Sequence, residues 1–478
     1  MSQESTLSHG LNVDAPASAQ QGAKRWFYPL LLRLHFYIGL LAGPFIFIAA
    51  LSGGLYAISP QIEKLMYADA LTGVSTGTPA SLAQQIAVAR EVVGPDASLA
   101  AVRPAPATGD TTRVMFNDPT LAQYEHRSIF VDPITLEVKG NLAVYGTSGA
   151  LPLRTWIDNL HRSLHMGDFG RHYSELAASW LWIVALGGLI LWINRQRKRK
   201  QVAQAAAMNP ARENTRRRHS TLGMVLLIGL LFLSVTGLTW SQWAGGNIGQ
   251  MRAALGWGTP GINTDITAAA PEADGHAHHH GDHAPAETAP AAMSANDGLF
   301  DSVLATARQH DIKAGLLEIR PATSPDKAWV VREINRSWPT EVDSVAVNPH
   351  TMEVVSEARF ADFPIAAKLT RWGIDIHMGS MWGLPNQLAL LAFALGLCTL
   401  IVLGYRMWWT RRPTKQSSSG RLTTHLLRVP PAALVVLIAV AATLGWFLPV
   451  MGVSLAAFLI IDVVLMAAGR KQDAIKGS

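Results

Sequence analysis

Apolar residues along this chain gather into long runs. Six of these, 31–58, 174–194, 220–243, 385–410, 430–448 and 450–468, predict helices able to cross a bilayer, which takes roughly 20 residues for about 30 Å of hydrocarbon. Little more than "LPVMG" separates the last two, so they are expected to form a tight helical hairpin. The segments between runs, 59–173 and 244–384, are patterned differently. Each carries one amphipathic stretch, "SLAQQIAVAREVV" or "LFDSVLATARQH", and then alternating apolar stretches broken at Asp-Pro or Asn-Pro, which predict a helix and β-hairpins. The fold class expected is a membrane α-helical bundle, a four-span core plus a C-terminal helical hairpin, with two small α+β modules outside the membrane.

The two halves repeat one another. Displaced by 184 positions, "RLHFYIGLLAGPFIFIAALSGGLYAI" overlies "RRHSTLGMVLLIGLLFLSVTGLTWSQ", matching His35 with His219, Gly39 with Gly223, Ser52 with Thr236, Gly53 with Gly237 and Tyr56 with Trp240. The modules repeat at 216 or 217, "VRPA" from 102 answering "IRPA" from 319 and "SIFVDPITLEVKG" answering "SVAVNPHTMEVVS". The displacement of 216 also sets Trp156 on Trp372, His161 on His377 and Leu181 on Leu397. A rival displacement of 212 aligns "LHMG" with "IHMG" and pairs His165 with His377, but 216 is preferred because it holds through the turns and tryptophans. The change from 184 to 216 implies about 32 extra residues in the second half, within "PGINTDITAAAPEADGHAHHHGDHAPAETAPAAMS". That stretch has no packing face and reads as a flexible outer loop. Its His276, His278, His279, His280 and His283 either gather metal ions weakly or are incidental to a solvated tract.

Charge turns the spans into a topology. Only 15% of the residues are charged, against about 25% in a typical soluble domain. The basic stretches "AKRW", "NRQRKRKQVAQAAAMNPARENTRRRHS", "YRMWWTRRPTKQ" and "GRKQDAIK" all flank spans. The positive-inside rule places them, and both termini, in the cytoplasm of a multi-pass membrane protein. The net charge of +6 is therefore topological and implies no nucleic acid. Residues 1–23 lack an apolar signal core, so the first span is expected to serve as an uncleaved anchor. The resulting map has a cytoplasmic tail 1–24, span 25–58, outer module 59–152, interfacial helix and span 153–194, basic loop 195–219 and span 220–243. It continues with the His-rich insert 244–297, outer module 298–366, interfacial segment and span 367–412, cytoplasmic loop 413–429, hairpin 430–468 and tail 469–478.

Cysteine usage narrows the chemistry. Cys398 is the sole cysteine, so disulfides, iron–sulfur clusters, structural zinc-thiolate sites and CxxCH-linked haem are excluded. Histidines remain. His35 with His219, near the cytoplasmic face, and His161 with His377, near the outer face, recur as two equivalent pairs. Ionisable groups in spans are costly and usually functional, and imidazoles offered by two helices are the axial ligands of a b-type haem. Against this, a histidine at a helix end often only hydrogen-bonds at the interface, and His219 follows a run of arginines. In "WIDNLHRSLHMGDFGRHY", Gly167 and Gly170 offer a break. Residues 153–166 would then lie along the surface as an amphipathic helix, with His161 and His165 one turn apart on one face.

With "RLHFYIGLLAGPF", "SGGLYAI", "LHRSLHMGDFGR", "RRHSTLG", "SVTGLTW", "DIHMGSMWGLPNQ" and the paired hairpins in view, the chain resembles the PepSY-associated transmembrane helix family over roughly residues 25–412. The resemblance implies PepSY-like periplasmic modules, two b-type haems and reduction of a ferric siderophore, or another periplasmic acceptor, in iron uptake. It implies haem ligation by His35, His219, His161 and His377, with His165 and His172 as alternates. One-electron reduction would weaken the hold of hard oxygen ligands on Fe(III), and Arg103, Arg320, Arg336 and Trp338 are candidates for docking the chelate. The cytoplasmic loops are too short for a flavin or nicotinamide domain, so a quinol or a separate reductase is the expected donor. The C-terminal hairpin and the His-rich insert depart from the family pattern. Two other classes compete with this one: a non-enzymatic membrane regulator or scaffold built on the modules, and a permease using Asp462.

Overall fold

The computed structural model describes residues 26–198, 210–266, 294–410 and 421–476. The first repeat contains helices α1 (Phe27–Leu41), α2 (Gly43–Met66), α3 (Ala68–Leu71) and α4 (Leu82–Val93), strands β1 (Leu99–Arg103), β2 (Thr112–Phe116), β3 (Glu125–Val131) and β4 (Val138–Tyr145), and helices α5 (Pro152–Ser163) and α6 (Gly167–Arg197). The second contains α7 (Pro210–Thr239), α8 (Trp243–Ala254), α9 (Phe300–Gln309), β5 (Leu317–Arg320), β6 (Trp329–Glu333), β7 (Ser344–Val347), β8 (Val354–Ala358), α10 (Ile365–His377) and α11 (Leu384–Trp409). Helices α12 (Leu422–Leu426), α13 (Pro431–Phe447) and α14 (Pro449–Lys476) follow. The His-rich cluster at 276–283 lies outside the described residues. By contacts the described chain forms two compact units, one from within 1–44, 179–227 and 400–478, the other from 45–178 and 228–399.

Among the described residues five helices, not the six expected, are long and apolar enough to cross a membrane: α2, α6, α7, α11 and the Pro449–Ala468 part of α14. The sixth, α13, has 17 residues, and at 1.5 Å per residue it falls short of a bilayer core of about 30 Å. Prolines at its start and at the head of α14 set that length. The first expected span is also divided, at Ala42. Pro44 has no N–H for the carbonyl four residues earlier, and the Tyr405 hydroxyl donates to that Leu40 carbonyl at 2.6 Å instead. Pro60 within α2 leaves Tyr56 in the same position, and Ser59 Oγ donates to the Tyr56 carbonyl at 2.7 Å.

The two expected α+β modules meet in one eight-stranded antiparallel sheet, ordered β4-β3-β2-β1-β5-β6-β7-β8. At the junction Val102 pairs with Ile319, its own counterpart in the repeat. Register shifts fall at matching places, Phe130/Val131 between β3 and β4 and Ala346/Val347 between β7 and β8. Pairing β1 with β5 leaves no open edge at the centre of the sheet. The halves share one core: Ile86 and Ala89 of α4 and Val303 and Ala307 of α9 lie against Val114, Ile129, Trp329, Val331 and Val345. Each large side chain buried there contributes about 1.5–3 kcal/mol.

The junction also buries an ion pair. Arg103 Nε donates to Glu318 Oε2 at 2.7 Å, and Arg320 Nε donates to Oε1 at 2.6 Å. Burial alone would raise the Glu318 carboxyl, but Arg103 and Arg320 hold it down to about 2. Because the folded value lies below the ordinary one, this stabilisation is present above about pH 4.5 and is lost as the pH falls toward 2. Replacing Glu318 with alanine strands Arg103 in the interior and is expected to cost about 3–5 kcal/mol. Guanidinium unfolding followed by circular dichroism should show that loss at pH 7 and a smaller difference between variant and parent near pH 3.

Candidate functional site

The first unit brings His35 of α1 and His219 of α7 together. Their ring centroids are 6.5 Å apart and their planes are nearly perpendicular, at 83°. His35 Nδ1 lies 3.0 Å from the Val184 carbonyl of α6, and His219 Nδ1 lies 3.0 Å from the Leu400 carbonyl of α11. A carbonyl only accepts, so each Nδ1 carries the proton and each Nε2 is the bare nitrogen. Val184 and Leu400 are themselves related by the displacement of 216, so both repeats hold their imidazole in the same way. Glycines make room for the rings: a Cβ at Gly188 would sit 3.2 Å from His35 Cε1, and one at Gly404, its counterpart, 3.6 Å from His219 Cε1.

The second unit holds His161 and His377. His161 lies near the end of α5, where the chain reverses through Leu164, His165 and Gly167, all at positive φ. The last carbonyls of α5 are taken up by α6, Tyr173 donating to His161 O and Ser174 to Arg162 O. This reversal sets His161 against α2, with Nδ1 3.0 Å from Ser52 Oγ and Cε1 3.1 Å from where a Gly53 Cβ would be. His377, the last residue of α10, has its Nδ1 2.6 Å from Thr236 Oγ1 of α7, and the Trp240 ring lies parallel to it at 6.3 Å. Each hydroxyl already donates to its own helix, Ser52 to Ile48 O at 2.7 Å and Thr236 to Phe232 O at 2.9 Å. Its oxygen therefore accepts from the imidazole, and Nε2 is again the bare nitrogen. Burial, reinforced by the nearby His161 ring, pushes His377 down to about 4. His161 is also pushed down by burial, against Asp158 and the Ala49 carbonyl, which raise it. Both rings are thus neutral at physiological pH, as metal ligands must be.

The other candidates lie elsewhere. His165 does not share a face with His161, because α5 ends at Ser163 and the left-handed turn carries the His165 ring onto Trp156, centroids 4.8 Å apart. His172 packs on Trp243 at 4.0 Å and bonds Phe169 O through Nδ1. Arg103 is buried in the sheet and is no docking residue, and Arg320 is tied to Glu318. Arg336 and Trp338 do reach the segment after His377, Arg336 Nη1 meeting Met378 Sδ at 3.4 Å and the Trp338 N–H bonding Met381 O at 2.8 Å. Asp462 accepts from the Thr423 N–H at 2.7 Å and so caps α12, a structural use of the acid that a transport reading requires. Among the described residues no group of three or more His, Cys, Asp or Glu is arranged for a metal ion.

Ser52 and Thr236 match each other in the repeat, but their role as histidine partners needed the structure. Gly188 and Gly404 went unread, although the displacement of 216 links them. The spacing of His35 and His219 would suit a metal macrocycle held between them. Two metal–nitrogen bonds of about 2 Å each, plus the ring radii, separate the ligand centroids by about 6 Å, close to the 6.5 Å between His35 and His219. The PepSY-associated TM region family model matches residues 32–411, and the chain belongs to that family. No curated protein matches it.

The α5–α6 reversal positions His161 and depends on close approach. A Cβ at Gly170 would lie 1.7 Å from the Ser163 carbonyl oxygen, whereas one at Gly39 would meet nothing within 4 Å. Gly170→Ala is therefore expected to lower the thermal unfolding midpoint of the detergent-solubilised protein sharply. Gly39→Ala, which only improves helix propensity by up to about 1 kcal/mol, should leave it unchanged or slightly raised.

Proposed function

We propose that this chain is an inner-membrane electron-transfer protein that holds two b-type haems, one between His35 and His219 and one between His161 and His377, and reduces a ferric siderophore or another acceptor outside the membrane. The observation that carries the proposal is the repeated orientation of four neutral imidazoles, each with Nδ1–H paired to an acceptor and Nε2 left to bind iron. Such pairing is how proteins fix the tautomer and raise the basicity of a ligating histidine. A bound haem supplies a one-electron Fe(III)/Fe(II) couple.

The chain's own groups do the rest. Carbonyls of Val184 and Leu400 hold one pair of rings, and hydroxyls of Ser52 and Thr236 hold the other. Gly53, Gly188 and Gly404 leave the rings space. Apolar helices exclude water around them, and PepSY-like halves of the sheet would face the outer compartment. Arg336 and Trp338, beside the segment following His377, are the residues offered to an anionic, partly aromatic chelate. Electrons would come from a membrane quinol or a separate reductase.

Protein purified from haem-replete cells is expected to show a reducible b-type Soret and α-band spectrum and about two haems per chain. His35→Ala or His219→Ala should remove one equivalent, and His161→Ala or His377→Ala the other. His165→Ala and His172→Ala should retain both. A colourless parent protein would contradict the proposal.

A further inference from the structure

The two sites differ in how their imidazoles are held. At His35 and His219 the partner of Nδ1 is a main-chain carbonyl, which no substitution removes. At His377 it is a side-chain hydroxyl, and at His161 a side-chain hydroxyl with the Ala49 carbonyl also beside the ring. We propose that Ser52 and Thr236 are positioning residues that set the reduction potential of the His161–His377 site, making it the site whose potential can be altered independently. The inference rests on the haem reading above.

Three observations carry it. The hydroxyl protons are committed to Ile48 O and Phe232 O, so each oxygen presents only lone pairs to its ring, and hydrogen bonds in such a chain polarise one another. The contacts are within bonding distance, 3.0 Å for Ser52 and 2.6 Å for Thr236, and both hydroxyl-bearing residues are buried or half-buried in helix interiors. They also occupy equivalent places in the two repeats, so the arrangement recurs where chance would not place it twice. An acceptor on Nδ1–H gives the ring partial imidazolate character, making Nε2 a stronger donor to iron and favouring Fe(III) over Fe(II). Removing the acceptor weakens that donation and raises the potential. A merely structural hydroxyl would change haem retention but not the potential of the haem retained.

The test is a spectroelectrochemical titration of the full-length protein in detergent, comparing the parent with Ser52→Ala, Thr236→Val and Thr236→Ser. The component that belongs to this site is the one lost in His377→Ala. With haem content unchanged, that component should shift to higher potential in Ser52→Ala and Thr236→Val, while the other stays in place. Thr236→Ser, which keeps the oxygen, should titrate like the parent. If Thr236→Val sheds pigment, Ser52→Ala and Thr236→Ser still decide the matter. Retained haem with no shift in Ser52→Ala, or a shift in Thr236→Ser as large as that in Thr236→Val, overturns the inference while leaving the haem reading intact. A parent protein without haem overturns both.

Discussion

A neutral imidazole buried among apolar helices carries one N–H that has to be paired, because an unmet donor there costs on the order of 1–3 kcal/mol. The fold meets that requirement four times, and always at Nδ1. Once Nδ1 is paired, the plane of the ring and the direction of Nε2 are fixed together. Other local features serve this constraint. Gly188 and Gly404 sit beside Cε1 of their rings, and the reversal through Leu164 and His165 turns the end of α5 so that His161 meets Ser52.

Duplication explains why the constraint is met in matched ways. The acceptors Val184 and Leu400 are counterparts, as are Ser52 and Thr236. In the sheet the same relation brings Val102 onto Ile319 and repeats a register shift in each half. A duplicated chain that pairs like with like brings two equivalent side chains to each site. The α12–α14 segment lies outside the repeat and is fastened by different means: Trp180 Nε1 donates to Ser454 Oγ at 3.0 Å, and Leu422 and Val429 are buried with Leu30 of α1.

Much of this was legible in the sequence because it depended on periodicity and self-similarity. The helices α4 and α9, the hairpins, most of the apolar helices and the equivalent places of His161 and His377 in the repeat follow from patterns that recur at fixed displacements. The preference for 216 over 212 agrees with the contacts, since it is His161, not His165, whose hydroxyl partner matches that of His377. What escaped depended on three-dimensional closeness. Main-chain acceptors such as Val184 O leave no trace in residue identity. The joining of two modules into one sheet rests on contacts far apart in the chain: Val102 beside Ile319, the buried Arg103–Glu318 pair and the core shared by α4 and α9. The length of α13 is set by flanking prolines, which a count of apolar residues overruns. Gly170 looked like a helix breaker, yet it lies inside α6 and is needed for its approach to the Ser163 carbonyl.

The proposal at the centre of this account is that each pair of histidines would bind one iron through Nε2, with ring planes set by the Nδ1 partners. Low-temperature electron paramagnetic resonance of the oxidised protein tests it most directly, because the low-spin ferric signal reports the angle between axial imidazole planes. The 83° angle between His35 and His219 predicts a strongly anisotropic low-spin signal that disappears in His219→Ala. A high-spin signal in the parent, or a low-spin signal of near-parallel planes at that site, would contradict it.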